Sequence, residues 1–205
     1  MIKWSLLIFI IAAGSCNSKM LPQEALPKEV VWTSEGLRWE YFQDVLNIEG
    51  NSHSLARISW NIRYFFTDTL QAENKDSGYP VSVYAVMIPS RSYVKSWANR
   101  TGLLEHEQLH FDIAEVGARR IRKEISETVF DAGTYKLEVA MLYQRHFSEI
   151  RQMQKAYDAE HRDRYWGRDY WRMKVGGELE DLKAYSGTAV FVKTGALQSN
   201  RTGSN

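Results

Sequence analysis

The chain has 205 residues, 44% of them apolar and 13% aromatic, which suits one domain with a filled core and excludes global disorder. Its 26 basic and 25 acidic side chains nearly cancel, and they balance once Lys3 of the N-terminal leader is set aside, so there is no basic field for holding nucleic acid. Cys16 is the only cysteine, so neither an intramolecular disulfide nor a cysteine-based zinc cage can form, and a metal site must use His, Asp and Glu.

Residues 1–15 read as a signal peptide. Lys3 supplies the positive end, Trp4 to Ala13 an apolar run, and Gly14-Ser15 the small residues before Cys16. That run is too short to span a bilayer. Ala13-Gly14-Ser15-Cys16 resembles the bacterial lipobox, which implies cleavage before Cys16 and lipidation of its thiol. Residues 16–29 are then the lipidated Cys and a flexible tether, and the membrane is a partner only through that anchor. The location this implies is the bacterial cell envelope. The lack of an acidic cluster at Asn17-Ser18 points to a periplasm-facing protein.

Residues 30–187 form the expected single domain. Leu37–Trp39, Ala56–Tyr64 and Val81–Val86 alternate with period two and predict strands, with Gln71–Pro80 as a loop and Pro89-Ser90 closing the last strand. From near Ser92 the period becomes 3.6. It is strongest over Gly102–Glu127, where Leu109, Ile113, Val116 and Ile121 follow one face. Asp131–Thr134 breaks this helix, and Thr134 caps a second one with a stripe of Ala140, Tyr143, Phe147, Ile150 and Tyr157. A third helix is expected over Gly167–Ala184 on Trp171, Val175, Leu179 and Leu182, weakened by Gly176-Gly177. The aromatics from Tyr165 to Trp171 read as core rather than as a sugar or peptide platform. Residues 188–205 read as a C-terminal tail. The fold class is α+β, a small, mainly antiparallel N-terminal sheet followed by one long helix and two more.

His106-Glu107-Gln108-Leu109-His110 is an H-E-x-x-H sequence inside the strongest helical segment. Four helical residues advance about 400°, so both imidazoles point the same way and can bind one Zn²⁺. Glu107, about 100° round from His106, is placed to take a proton from a water at the metal without being a ligand. A chance match in a chain of this composition is expected about 0.01 times, so the motif is read as a zinc site.

A catalytic zinc needs a third protein ligand and an open position. Asp112 and Glu115, on the same helix, point away from the two histidines. On the second helix, Asp158 falls in line with Phe147 and His161 with Ile150, both on the core-facing stripe, where a metal would supply the partner a buried polar group requires. Both could reach the same ion. His53 and His146 read as surface or structural.

The stretch Leu104-Glu105-His106-Glu107-Gln108-Leu109-His110-Phe111-Asp112-Ile113-Ala114-Glu115 closely resembles the signature of a bacterial family of secreted zinc-dependent protease-like proteins, domain of unknown function 922, assigned to the H-E-x-x-H zincin superfamily. Leu37-Arg38-Trp39-Glu40-Tyr41-Phe42 is similar to its opening L-x-W-x-x-F segment, and Tyr157-Asp158 to the start of its Y-D-x-x-T-x-H-G pattern. His161, Asp163 and Arg164 depart from the Thr, His and Gly expected there. The resemblance implies Asp158 as third ligand and leaves His161 as a local substitute, expected beside the open position where it could donate a hydrogen bond to a developing oxyanion. Together with the anchor expected at Cys16, it implies a lipid-anchored zinc metallopeptidase acting on a peptide or protein, with Val81–Ile88 as the edge strand that receives an extended substrate. The alternative is a non-catalytic envelope lipoprotein whose metal site is structural or degenerate.

Overall fold

A computed structural model describes residues 27–45, 54–67, 78–98, 101–163 and 167–195, and the side chains of 101 and 161–163 lie outside what it describes. The leader and Cys16 lie outside it as well, as do His53, Tyr165, Trp166 and residues 196–205. The class is α+β. Among the described residues there are seven strands, β1 Val30–Val31, β2 Ala56–Arg57, β3 Trp60–Phe66, β4 Tyr79–Met87, β5 Tyr93–Val94, β6 Val129–Asp131 and β7 Ala189–Gly195. The α-helices among the described residues are α1 Thr101–Glu127, α2 Tyr135–Asp163 and α3 Gly167–Asp181.

Strand β4 is central. It pairs antiparallel with β3 along Val81–Met87 on one side, and with β7 at Tyr79–Ser82 and β1 at Val86–Met87 on the other. Val81, Val83, Ala85 and Met87 form its buried face, and Val86 on the opposite face is buried as well. The reading of Val81–Ile88 as a free edge strand is therefore corrected, and among the described residues β6 is an edge strand beyond β7, as β3 is beside β4. Even there, the Ile62 amide donates to Asn61 Oδ1 at 2.8 Å and the Ile62 carbonyl accepts from Tyr143 at 2.8 Å. Strands β2 and β5 pair separately.

Two further expectations are corrected. Residues 189–195, assigned to a tail, form β7, which inserts between β4 and β6 and pairs parallel with β6. Val190 and Val192 face inward while Ala189, Phe191 and Lys193 face out, and the two inward valines hold the strand in place. Leu37–Trp39 is no strand. Leu37 is bound through its amide to Gln108 Oε1 at 2.6 Å and leads into a 3₁₀ turn at Trp39–Tyr41. Likewise the 3.6 period does not extend back to Ser92, since β5 and a short 3₁₀ turn at Ser96–Ala98 precede α1.

Helix α1 is the axis of the domain because it is apolar on two faces. Measured from His106 at 100° per residue, Phe111, Ala114, Ala118, Ile121 and Ile125 centre about 100° round. They pack on the sheet and on Val139 and Leu142 of α2. Leu109, Ile113 and Val116 centre about 55° the other way. They meet Ile150 and Tyr157 of α2 and Trp171 and Val175 of α3. At Gly117 α1 is packed tightly between α2 and β3, since an added Cβ would lie 2.5 Å from Ile150 Cγ1 and 2.9 Å from Ile62 Cδ1.

Candidate metal centre

His106 and His110 fall in the seam between the two apolar faces of α1, at 0° and about 40°, where neither the sheet nor α3 covers them fully. Asp158 reaches this seam from α2. His110 Nε2 lies 3.2 Å from His106 Nε2 and 3.0 Å from Asp158 Oδ1, and His106 Nε2 lies 3.6 Å from the same oxygen. A tetrahedral zinc ion with bonds of about 2.0 Å holds its ligand atoms about 3.3 Å apart. The three donors thus already stand at the spacing such an ion imposes, and two imidazoles with one carboxylate are ligands zinc accepts.

The structure brings together His106, Glu107, His110 and Asp158. Asp158 is not a buried group in need of a partner, since 48% of its side chain is exposed. It faces the histidines from the rim. Burial would raise its carboxyl, but hydrogen bonding to His106 and His110 holds it well below the usual carboxylate range. His110 shifts the opposite way. Burial pulls it down, and Asp158, Glu107 and Gln154 together push it above the ordinary imidazole value.

Glu107 lies about 100° round from His106, in the middle of the sheet-facing side of α1, and only 3% of it is exposed. The Ile58 amide, between β2 and β3, donates to its Oε2 at 2.8 Å. Burial pushes the Glu107 carboxyl up, against the opposing pull of His110, His106 and that amide.

Asp112 and Glu115 are engaged elsewhere, in line with their angles on the helix. Asp112 Oδ1 accepts from Trp32 Nε1 at 2.8 Å and Gln108 Nε2 at 2.7 Å. Glu115 is locked to Arg119 and Arg122. His146 is buried and bound through Nε2 to Glu124 Oε2 at 2.8 Å, away from the site. His161 is on the last turns of α2.

Two residues of the site were not read from the sequence as part of it. Tyr157 is fully buried, its ring stacked on His106 at 4.9 Å and edge-on to His110 at 4.8 Å, with Trp171 behind it. Gln154 is 6% exposed and meets His110 twice, accepting from its Nδ1 and donating from Nε2 to its carbonyl at 2.8 Å. The signal for both was phase on α2. Ile150, Gln154 and Tyr157 follow one inward face, and a glutamine there needs buried partners.

The profile of a family described as a bacterial protein of unknown function (DUF922) matches residues 35–165. The chain belongs to this family. The matched span of the DUF922 domain contains β2 to β6, α1 and all of α2, and with them all four residues of the centre. Helix α3 and strand β7 follow it. No curated protein matches the chain, and neither does any solved structure.

Proposed function

We propose that the protein is a zinc-dependent metallohydrolase of the zincin type, most simply a peptidase, held at the bacterial cell envelope by a lipid on Cys16 and facing the periplasm. The observation that carries this reading is the triangle of His106 Nε2, His110 Nε2 and Asp158 Oδ1 with Glu107 one residue away on the same helix. Zn²⁺ held there supplies a Lewis acid that activates water and polarises a scissile carbonyl. Glu107 Oε1, the oxygen that the Ile58 amide does not engage, takes the proton of the attacking water and returns it to the leaving amine. The tether of residues 16–29 sets the reach from the membrane, and the substrate is a peptide or protein. Its extended chain would lie along β3, beside the engaged Ile62.

The test is zinc content together with hydrolysis of a denatured protein substrate. Glu107→Gln is expected to keep stoichiometric zinc and lose hydrolysis. A wild-type chain that takes up no zinc, or a Glu107→Gln variant as active as the wild type, overturns the reading. One observation favours a second reading, a non-catalytic envelope lipoprotein with a structural metal site: Glu107 is nearly inaccessible and already bound by Ile58. In that case the wild type holds zinc and hydrolyses nothing.

A further inference from the structure

We infer that Gln154 is a positioning residue that selects which nitrogen of His110 coordinates the metal; the inference rests on the zinc reading above and deepens it. The side-chain amide of Gln154 has one accepting end and one donating end. The His110 carbonyl can only accept, so the Nε2 end of Gln154 must face it, 2.8 Å away. That leaves Oε1 facing His110 Nδ1, and an oxygen there requires a proton on Nδ1. A neutral imidazole has a single N–H, so Nε2 keeps the lone pair. Nε2 is the atom that stands 3.2 Å from His106 Nε2 and 3.0 Å from Asp158 Oδ1. The backbone of His110 thus dictates its own tautomer, with Gln154 as the relay.

The arrangement is built for this. Gln154 is buried, while Asp158, one turn further along α2, is at the rim. One helix therefore delivers a ligand and the orienter of another ligand, and docking α2 on α1 aligns both. Tyr157, between them in sequence, packs its ring against both imidazoles.

Two substitutions separate this role from space filling. Gln154→Met keeps the volume and removes both hydrogen bonds. Gln154→Glu keeps an acceptor for Nδ1–H, now charge-assisted, and loses the donor to the carbonyl. Zinc affinity of the full chain, measured by chelator competition, is expected to fall about 10- to 100-fold in Gln154→Met, the usual scale for an outer-shell partner. In Gln154→Glu it should stay within roughly threefold of the wild type, because the charged acceptor replaces the amide oxygen. A packing role gives the reverse order, since Met fills the site and a buried carboxylate disturbs it. Equal affinity in all three, or Gln154→Glu weaker than Gln154→Met, overturns the inference. Imidazole ¹⁵N NMR of the wild type decides it whatever the variants do, because a His110 Nδ1 without a proton overturns it. A wild type that binds no zinc but shows that proton overturns the metallohydrolase reading and sustains the hydrogen-bond selection of the tautomer.

Discussion

At the scale of residues, each of the three proposed ligands supplies one of only three protein bonds, so His106→Ala, His110→Ala and Asp158→Ala are each expected to abolish tight zinc binding. His146→Ala should leave zinc in place, since His146 pairs with Glu124 and Glu149 far from the centre. Metal analysis of the four purified variants checks this, and full occupancy in His106→Ala or His110→Ala would show that the motif is not the site. His161→Ala should keep zinc and slow hydrolysis by about 10² to 10³, the scale of one oxyanion donor. The motif histidines and Glu107 were legible in the sequence because i and i+4 on a helix fix their direction before any tertiary contact exists. Asp158 is legible through its phase on α2 and its Tyr157 neighbour, but not through burial, because the residue is at the rim. Gln154 was missed because a glutamine in a polar stretch attracts no attention until its inward neighbours Ile150 and Tyr157 are lined up.

At the scale of elements, the long helices were readable and the short strands were not. A 27-residue helix repeats its period many times. The three residues of β6 or the two of β1 repeat nothing, and their strand state comes wholly from the partner they pair with. The second apolar face of α1 was legible in Phe111, Ala114 and Ala118, yet a reading that follows one stripe does not look for two. That double burial leaves α1 no slack at Gly117. Gly117→Ala drives a Cβ into Ile150 and Ile62, and a loss of about 1–3 kcal/mol is expected from overpacking, outweighing the gain in helix propensity. Urea unfolding measures it, and an unchanged or raised midpoint refutes the close approach.

The same pair of helices is held near its other end by Glu124 of α1, bound to Arg145 and His146 of α2. The hydrogen bond from Arg145 first, and then His146, holds the Glu124 carboxyl below its ordinary value. A carboxylate depressed in the folded state stabilises above its unfolded pKa, about 4.3, and loses that contribution as the pH falls through the folded value. The difference in Tm between the wild type and Glu124→Gln should therefore be present at neutral pH and shrink on acidification below about 4. The exposure of this carboxylate keeps the effect small. A difference that is constant with pH would assign it to packing instead.

At the scale of the whole molecule, one buried cluster ties together parts distant in sequence. Arg122, 1% exposed, donates to Glu115, to the Val83 carbonyl of β4 and to the Tyr185 carbonyl after α3, each at 2.6 Å. Arg119 binds the same carboxylate and the Leu179 carbonyl. Glu115→Leu leaves two buried guanidinium groups without their anion, which costs about 3–5 kcal/mol on the usual scale for a broken buried pair. Against a typical net stability of about 5–15 kcal/mol, that variant should lose much of its resistance to urea. Ending the chain at Gly187 should be at least as damaging. It removes buried Val190 and Val192, each worth about 1.5–3 kcal/mol, and opens the edges of β4 and β6. Circular dichroism melting of the truncated chain tests this, and a melting temperature equal to that of the full chain would return residues 188–195 to the status of a tail.

The place of β7 also sets an order of events. A polypeptide that emerges N-terminus first, from a ribosome or a translocation pore, presents His106, His110 and Asp158 well before Ala189–Gly195. Strand β4 must keep one flank open until then, because its partner at Tyr79–Ser82 is the last strand of the described chain. Closures across so long a stretch of sequence are slow compared with helix formation, since their loop entropy has to be met before any contact rewards it. The nascent protein therefore presents all three donor side chains before the sheet behind them is complete, and because Asp158 stands at the rim they stay open to an ion from solvent after the last strand has closed.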